Sequence, residues 1–438
     1  MVSPHSSQLL DRPTRPRVVI VGAGFGGLAA ARILARAPVE VLVINRTNYH
    51  GFWPLLYQVA TAGLEPESIA YPARAILRRY RNADFLLAEV TGIDYERQLL
   101  HTSAGEVSYD YAILAAGSAT NFFGNERFAQ YTLGMKDLDE AQRIRNHVLL
   151  CCEQAVTERD PAQRKALLTF VVVGGGPTGV ELAGAFAELI RHVIRHDYPM
   201  LDLRQATVVL IEATDRLLAS FPASLQRSAL RRLQQMGVDV RLGTAVADAE
   251  PRGLRFPDGS RLEAATVVWA AGARGAALAD ALGIATGRGG RVPVTPFLTL
   301  PGKDNVFVIG DMAYLEGDRP GVAYPMVAPV AIQMGEHAAR NIIAQQQRQA
   351  MQSFRYRDKG QMATIGRSAA VLDAFGLRLS GWPAWVGWLV VHLIALVGFR
   401  NRALVLLNWA YSYATYDRGA RLIFGVGAER PVWEAPHR

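Results

Sequence analysis

Two glycine-rich turns, each between an apolar strand and a helix of small residues, predict an α/β protein with two Rossmann-like dinucleotide-binding domains. The chain has 438 residues, which is long enough for two or three domains and a large core. A third observation is the apolar run "PAWVGWLVVHLIALVGF", from Pro383 to Phe399. It predicts a C-terminal helical region for membrane association behind the two domains.

The first turn lies in "RVVIVGAGFGGLAAARIL" and carries Gly22, Gly24 and Gly27. Such a turn lets the backbone approach a diphosphate. The helix that follows offers unpaired N–H groups and the positive end of its dipole. One turn alone is weak evidence, because a glycine-rich turn is often only a tight connection.

The same pattern returns 152 positions later in "LLTFVVVGGGPTGVELAGAFAEL". It places Gly174, Gly176 and Gly179 in the same strand–turn–helix context. Two independent matches with correct flanking segments are much harder to obtain by chance, so we predict two dinucleotide sites.

The residue at the end of each second strand distinguishes the two ligands. In the second unit this residue is Glu212, whose carboxylate can accept from a ribose hydroxyl and would repel the 2′-phosphate of NADPH. We therefore predict NADH there. The first unit has Asn45 at this position, followed by Arg46. The Asn45 amide oxygen still accepts one bond, without the strength of a charged acceptor. We predict a ribose contact, with a plain turn residue as the alternative.

Three further stretches fit a flavin and a nicotinamide. "YDYAILAAGSAT" and "ATVVWAAGAR" are each a buried strand that ends in Ala-Gly, at Gly117 and Gly272. "NVFVIGDMAYL" sets Asp311 behind an apolar strand, where its carboxylate can bind a ribitol hydroxyl or reach the diphosphate through water. We therefore assign Gly117 and Asp311 to the FAD site, together with Asn45, Arg46 and the three glycines of the first turn. Gly272 is assigned to the NADH site, together with Glu212 and the three glycines of the second turn.

Positive charge is concentrated at the carboxyl end of the chain. The formal net charge is +8, and from Ser353 onward 11 Lys and Arg face 5 Asp and Glu. Five of the seven tryptophans lie in the same part: Trp382, Trp385, Trp388, Trp409 and Trp433. A cationic, Trp-rich and apolar segment is typical of a surface for anionic lipid headgroups. The alternative is a buried helical hairpin with a solvated basic rim.

The apolar run is barely long enough to span a bilayer. Residues 381–399 would form a helix of about 28 Å, against a hydrocarbon core of about 30 Å, and Pro383 removes part of the first turn. "FRNR" breaks the segment, and "ALVLLNWAYSYATY" continues as a second helix. We predict a hairpin that lies in the lipid interface over residues 381–413, with Arg400 and Arg402 at the headgroups. A span, or burial at a dimer contact, is the alternative.

The two cysteines, Cys151 and Cys152, are adjacent, which excludes a disulfide framework and fits a reducing compartment. We interpret them as small apolar residues of a helix, because neither glycine turn is followed by a C-x-x-C motif.

With these residues together, the chain resembles the type II (non-proton-pumping) NADH:quinone oxidoreductases of bacteria, which are flavoproteins with two dinucleotide-binding domains. The similarity runs from about Val18 to about Phe424. Its most specific stretches are "FWPLLYQVATAGLEP", "DKGQMATIGR" and the tail "VGFRNRALVLLNWAYSYATYDRGARLI". The glycine motifs alone indicate only the superfamily, whereas the tail indicates the quinone reductases.

The resemblance implies FAD in the first unit, NADH in the second, and a membrane quinone (ubiquinone or menaquinone) as electron acceptor. It places Glu181 beside the nicotinamide, where it orders the site or passes a proton toward the quinone. An acid in the first turn of a helix, stabilised by the dipole, is the alternative. Gln333, in a helix that opens near Val327 and faces the flavin, is implied to contact FAD and to bond a quinone carbonyl; a plain polar helix residue is the alternative. Lys359 and Tyr57 are weaker candidates for the same cavity.

Two positions depart from the family pattern. Asn45 stands where the family usually has Asp or Glu. The quinone-site signature Ala-Gln-x-Ala-x-Gln reads "APVAIQ" from Ala328 to Gln333, so Pro329 replaces the first glutamine. Proline removes a backbone donor and an amide side chain together, so the quinone geometry differs from the family's at this point.

The predicted organisation follows the motifs along the chain. We predict a disordered tail over 1–17, an FAD-binding domain over 18–135 and 290–350, an NADH-binding domain over 136–289, a membrane-association region over 351–425 and a tail over 426–438. We predict no metal site. We also predict no nucleic-acid partner, because the positive surplus lies beside tryptophans and aliphatic residues and not along a polar groove.

The predicted function is transfer of two electrons from NADH through FAD to a membrane quinone, without proton pumping. We expect a homodimer, bound peripherally (monotopically) at the cytoplasmic face of the bacterial inner membrane. The alternatives are a soluble NADH-dependent flavin reductase acting on a small electron-transfer protein, or a basic flavoprotein with mainly a binding role.

Overall fold

The computed structural model describes residues 15–317, 319–415 and 420–424, which form two compact units. Within the described ranges, the first unit comprises residues up to 51, then 70–119 and 273–358, and the second comprises 52–69, 120–272 and the residues from 359 onward. Of the predicted tails, residues 1–14 and 426–438 lie outside the described chain, and Arg17 already belongs to the first strand. The boundaries of the FAD-binding and NADH-binding domains that the sequence predicts stay predictions.

The described helices of ten residues or more are labelled in chain order: α1 (Phe25–Leu34), α2 (Leu138–Thr157), α3 (Pro177–Glu188), α4 (Ala223–Gln235), α5 (Ala328–Gln346), α6 (Trp382–Ala395) and α7 (Phe399–Thr415). Shorter helical segments are Trp53–Leu55, Leu56–Ala60, Pro66–Ile69, Ala73–Leu77, Glu126–Tyr131, Pro161–Leu167, Leu189–Ile194, Arg195–Asp197, Leu278–Ala281, Arg288–Gly290 and Gly310–Met312.

A six-stranded sheet organises the first unit. Its strands, in spatial order, are Thr299–Leu300, Lys303–Val308, Tyr111–Leu114, Arg17–Val21, Glu40–Asn45 and Ala83–Leu87. All are parallel except the first, which is antiparallel to its neighbour. The central strands are runs of buried valine, isoleucine and leucine, as expected of a parallel sheet covered on both faces. Val21 is in register with Ile44 and Leu114, so the loops behind these three strands meet at one edge.

The second unit repeats this plan with a five-stranded parallel sheet. Its strands, in spatial order, are Leu133–Gly134, Thr266–Trp269, Thr169–Val173, Thr207–Ile211 and Val238–Arg241. Val173 is in register with Ile211 and Trp269, so the second glycine turn also lies where three strand ends meet. Ligands bind at such edges in doubly wound sheets.

The remaining strands are short. They are Tyr49–Gly51, Ala70–Pro72, Val90–Asp94, Leu99–Thr102, Gly105–Ser108, Ser118–Thr120, Asp248–Glu250, Gly253–Arg255, Arg261–Glu263, Ala273–Gly275, Val292–Pro293, Ala313–Tyr314, Gln361–Thr364, Ala370–Ala374 and Leu377–Gly381.

Helices α1 and α5 of the first unit approach each other at glycines. A Cβ on Gly335 of α5 would lie 2.1 Å from the carbonyl oxygen of Gly26 in α1, and one on Gly26 would lie 2.9 Å from that of Ala331. No side chain fits at either glycine without separating the helices. The first glycine turn and the helix that carries Gln333 are therefore held at a fixed distance.

The predicted helical pair at the carboxyl end is present as α6 and α7, but the break between them is not at "FRNR". It falls at residues 396–398, where Gly398 has a positive φ of 86°. Arg400 and Arg402 lie in the first turn of α7, and Arg402 Nε donates to the Leu396 carbonyl oxygen at 2.8 Å. The expected cationic turn is thus the start of a helix, because a glycine and not the arginines supplies the reversal. Across the described chain, no helix combines the length and apolarity needed to cross a membrane.

Both cysteines lie buried in α2 as free thiols, as the sequence predicts. Burial raises the pKa of Cys151 to about 12 and that of Cys152 still further. Neither thiol has the character of a reactive thiolate.

Candidate functional site

The first glycine turn has the shape that a dinucleotide needs. Gly22 has a φ of +116°, and a Cβ on it would lie 2.3 Å from the Ala115 carbonyl oxygen. A Cβ on Gly27 would lie 2.0 Å from the carbonyl oxygen of Gly22. Gly24 caps the start of α1. Apart from its chain neighbours and the backbone of α1 itself, no atom of the described residues lies within 4 Å of where its Cβ would be. Two glycines therefore close the turn, and the third leaves open space at a helix N-terminus, where a diphosphate fits.

The second turn has the same shape. Gly174 has a φ of +114°, and a Cβ on Gly179 would lie 1.9 Å from the Gly174 carbonyl oxygen. Gly176 caps α3 and again faces open space. The predicted internal repeat is therefore a repeat of backbone geometry, and each unit offers one cradle for a dinucleotide.

Asn45 does what an acid does at the corresponding place in the other unit. Its Oδ1 accepts from the N–H of Ala23 in the first turn at 3.1 Å, and its Nδ2 donates to the carbonyl oxygen and hydroxyl of Thr47 at 2.7 and 2.9 Å. Glu212 likewise accepts from the N–H of Gly175 in the second turn at 2.6 Å. Asn45 thus connects the end of its strand to the glycine turn by a hydrogen bond. Its Oδ1 keeps one lone pair that can accept from a ribose hydroxyl. Arg46 follows it in an exposed loop.

Glu212 presents a carboxylate that is already oriented by the backbone. Besides the Gly175 bond, it accepts from the N–H of Thr214 at 2.7 Å. A Cβ on Gly175 would lie 2.6 Å from Leu217 Cδ2 and 2.9 Å from a Glu212 carboxylate oxygen, so glycine leaves room for both side chains in their present positions. Gly272, at the end of the neighbouring strand, has a φ of 149°, and its carbonyl oxygen accepts from the N–H of Asn121 at 3.2 Å.

Asp311 lies in the first unit with a partner that the sequence did not indicate. It occupies the turn Gly310–Met312 and accepts from the Ser118 hydroxyl at 2.6 Å. Ser118 directly follows Gly117, whose φ is +77° and whose would-be Cβ meets open space. The two predicted FAD stretches therefore meet through a side-chain hydrogen bond.

His50 is another residue that the sequence analysis missed. It is buried, and its Nδ1 lies 2.9 Å from the carbonyl oxygen of Ala23 in the first glycine turn. Because a carbonyl only accepts, Nδ1 carries the proton. Burial lowers the pKa of His50, so the ring is neutral, and its hydrogen bond stabilises the turn. The bond spans 27 residues, so no local pattern could have revealed it.

Glu181 lies in α3 of the second unit, one full turn beyond Pro177, where the helix begins. Oε1 accepts from the Thr364 N–H at 3.3 Å. Burial raises the pKa of Glu181 to about 8, and the Thr364 bond opposes this. The alternative interpretation of Glu181 as a first-turn acid is wrong. The stabilisation by the helix dipole is confined to the first turn, and the first turn of α3 has no acid.

Helix α5 begins at Ala328 after Val327, as predicted. Pro329 is its second residue, where the backbone N–H of any amino acid would lack a helical partner, so the helix loses no hydrogen bond. The Gln333 amide is engaged on both sides: Oε1 accepts from the Arg357 N–H and Nε2 donates to the Arg357 carbonyl oxygen, each at 3.0 Å. Gln333 thus fastens the segment before Lys359, and one amide hydrogen remains for a ligand.

The other two candidates differ in accessibility. Lys359 is exposed, whereas Tyr57 is buried and its hydroxyl accepts from the Gln58 amide at 2.8 Å. The first unit therefore gathers Gly22, Gly24, Gly27, Asn45, Gly117 and Asp311 around its sheet edge. The second gathers Gly174, Gly176, Gly179, Glu212 and Gly272. Their contacts with FAD and NADH stay predictions, and the two open glycine cradles fit those cofactors.

Two family models match the chain. The pyridine nucleotide-disulphide oxidoreductase family matches residues 16–335, and the NDH2 C-terminal domain matches residues 359–415. The second match includes all of α6 and α7.

Known relatives resemble this chain over almost its whole length. The type II NADH:quinone oxidoreductase Ndh of Mycobacterium tuberculosis is 41% identical over 435 residues, covering 95% of this chain and 92% of that protein. NdhA of the same organism, with the same description, is 40% identical over 426 residues and covers 93% and 89%. The structure of NDH2 from Plasmodium falciparum in complex with NADH has a TM-score of 0.85 at 21% identity, covering 93% of this chain and 99% of that one, which shows the same fold.

The resemblance seen in the sequence is thereby confirmed, and this chain belongs to the type II NADH:quinone oxidoreductases, within the pyridine nucleotide-disulphide oxidoreductase family.

Proposed function

We propose that this protein docks on a membrane surface, oxidises NADH with bound FAD and reduces a quinone drawn from the bilayer. The observation that carries the proposal is the glycine cradle built twice, with an uncharged Asn45 beside one and the Glu212 carboxylate beside the other. Two dinucleotides in one chain are what electron transfer from a nicotinamide through a flavin requires. The family of the chain favours this function over a soluble flavin reductase or a binding protein.

In the first unit, the backbone and two side chains hold FAD. The open side of Gly24 and the N-terminus of α1 receive the diphosphate. Asn45 accepts from the adenosine ribose, and Asp311, oriented by Ser118, accepts from the ribitol chain. Bound FAD supplies the two-electron chemistry that links a hydride donor to a quinone.

In the second unit, Glu212 selects the electron donor. Its carboxylate is fixed by two backbone N–H groups, so it can accept from a ribose hydroxyl with little loss of side-chain freedom. The same charge repels the additional phosphate of NADPH. We therefore expect a strong preference for NADH.

Quinone reduction by NADH consumes one proton in addition to the hydride. Glu181 can hold it on Oε2, because Oε1 accepts from the Thr364 N–H and the raised pKa of about 8 keeps the carboxyl protonated at neutral pH. Gln333 has one amide hydrogen beyond its Arg357 bond, which would orient a quinone carbonyl.

Helices α6 and α7 provide the membrane surface. Each buries one face, through Trp388 on α6 and Val405 on α7. Each also leaves large apolar side chains in solvent: Trp382, Val390, Val391, Ile394, Leu406, Leu407 and Tyr411. Arg400 and Arg402 are exposed beside them. Exposed apolar residues next to cations fit anionic lipid headgroups and the outermost acyl region.

The function is tested with purified holoprotein, NADH or NADPH, and short-chain ubiquinone or menaquinone analogues. We expect NADH oxidation that requires quinone and is at least tenfold slower with NADPH at equal concentration. The ratio of rates with the two quinones then identifies the acceptor. If NADH bleaches the flavin and neither quinone restores its colour, the acceptor half of the proposal is refuted.

Membrane docking is tested by co-sedimentation with vesicles of neutral lipid containing one-third anionic lipid. Ile394→Asp and Leu407→Asp, each at a side chain 64% exposed, should release the protein from vesicles while leaving NADH reduction of the flavin intact. Leu87→Asp in the first unit, at a leucine 52% exposed, is the matched control and should still sediment. Equal sedimentation of all variants would refute α6 and α7 as the docking surface. The cytoplasmic face of the membrane and the homodimer stay predictions.

A further inference from the structure

Arg291 of the first unit is a buried cation outside the glycine turn and the strand ends assigned to FAD. It directly precedes the strand Val292–Pro293, which pairs with Ala313–Tyr314 so that Val292 is opposite Ala313. This register places Arg291 beside the turn that carries Asp311. The residue is only 7% exposed, and its guanidinium carbon lies 5.9 Å from the centre of the Tyr314 ring.

Two buried nitrogen atoms of the Arg291 guanidinium have no hydrogen-bond acceptor among the residues that the structure describes. These atoms are Nε and Nη2. Burial lowers the pKa of Arg291, and the charge of nearby Asp311 opposes this, but the Asp311 carboxylate accepts a hydrogen bond from the Ser118 hydroxyl. A buried charge without a hydrogen-bonded counter-ion is strongly unfavourable, so this arrangement calls for an external anion.

The surroundings indicate which anion. The segment that leads to Arg291 packs on the strand end at Gly117: the Ala276 N–H donates to the Gly117 carbonyl oxygen at 3.1 Å, and a Cβ on Gly275 would lie 2.3 Å from the carbonyl oxygen of Gly290. Arg291 therefore lies among the same residues of the first unit that are assigned to FAD. A guanidinium presents parallel donors that match phosphate oxygens.

We propose that Arg291 binds the diphosphate of FAD, donating from Nε and Nη2 to phosphate oxygens. This inference rests on the assignment of FAD to the first unit. Arg291 and the glycine turn would then neutralise the diphosphate by different means, a fixed charge on one side and backbone N–H groups with a helix dipole on the other.

The test compares Arg291→Met and Arg291→Lys with Arg274→Met in the full chain. Arg274 is the matched control, because it belongs to the same unit but is 42% exposed at its side chain and pairs with Asp280 at 3.0 Å. Each protein is stripped of flavin and titrated with FAD and with riboflavin, which has no phosphate, by quenching of flavin fluorescence. The melting temperature is measured with and without FAD.

Arg291→Met should raise the Kd for FAD at least tenfold and leave that for riboflavin unchanged, whereas Arg274→Met should change neither. Arg291→Lys should fall between, because it keeps the charge without the fork. Without FAD, Arg291→Met should melt at a higher temperature than wild type, since an unpaired buried charge is gone; with FAD, the order should reverse.

Wild-type affinity for FAD in Arg291→Met, or equal weakening of riboflavin, would overturn the inference and leave the guanidinium as a stacking partner of Tyr314. Should Arg291→Met fail to fold, wild-type FAD affinity in Arg291→Lys would overturn the parallel-donor geometry. Wild-type protein that binds no FAD would instead refute the assignment on which the inference rests. All readouts are independent of NADH oxidation and quinone, so failure of the proposed reaction is recognised separately.

Discussion

Replacing Glu212 by glutamine tests the donor site most directly. The wild-type carboxylate accepts from the N–H groups of Gly175 at 2.6 Å and Thr214 at 2.7 Å. Glutamine has one acceptor oxygen, so one of these N–H groups would face an amide NH₂. Leaving such a group unsatisfied costs about 1–3 kcal/mol, which should appear as lower stability of the second unit.

Glu212→Gln should also weaken the binding of NADH. A hydrogen bond from a ribose hydroxyl to a charged acceptor contributes about 1.5–3 kcal/mol, and every 1.4 kcal/mol corresponds to a factor of ten. Glu212→Gln should therefore raise the KM for NADH roughly tenfold to hundredfold with little change in kcat. The ratio of kcat/KM for NADPH to that for NADH should rise, because the charge that repels the 2′-phosphate is lost.

The assay is steady-state NADH and NADPH oxidation at saturating quinone, with FAD content measured from the flavin spectrum. Glu263→Gln, at an exposed glutamate of the same unit, serves as control and should behave as wild type. A KM for NADH within twofold of wild type would refute a ribose contact at Glu212. Loss of FAD without a change in KM would show that the two dinucleotides had been assigned to the wrong units.

Two further predictions concern the pH dependence and the first glycine turn. The pKa of Glu181 is raised from 4.5 to about 8, so between these pH values the folded protein binds more protons than the unfolded chain. The stability of the protein should therefore fall as pH rises from about 5 to 8, and Glu181→Gln should remove that fall. Melting temperatures of Glu181→Gln that change with pH in parallel with those of wild type would contradict this prediction. Gly24→Ala should weaken FAD binding while the flavin-free protein melts as wild type does, because the added Cβ meets only open space, whereas Gly27→Ala should impair folding itself, since its Cβ would lie 2.0 Å from the Gly22 carbonyl oxygen. Equal melting temperatures for these two variants would contradict the assigned roles.

The two dinucleotide cradles could be predicted from the sequence because their causes are local. A φ near +115° at Gly22 and Gly174 requires glycine, and a strand end about twenty residues on supplies Asn45 in the first unit. The residues that determine the first cradle are therefore close together in the sequence, and so can be recognised from it. Even the unusual Asn45 could be recognised, because its place in the pattern and its amide oxygen together define what it can accept.

The remaining features depend on contacts between distant parts of the chain. Gln333 has its amide occupied by the backbone of Arg357, and Asp311 takes its hydrogen bond from Ser118, 193 residues away. Arg291 belongs to no motif, and its significance comes from burial without a partner. The two arginines of "FRNR" are the more conspicuous signal before α7, but the break falls at Gly398, whose missing side chain permits the turn.

The contact of Gly26 with Gly335 has a consequence for how a change in one helix of the first unit affects the other. Two backbones touch there with no adjustable side chain between them, so neither α1 nor α5 can shift without breaking that contact. A substitution that displaced α5 would therefore also disturb the first glycine turn, which leads directly into α1. Exchanges that leave the two glycines in place keep the two helices at the same separation.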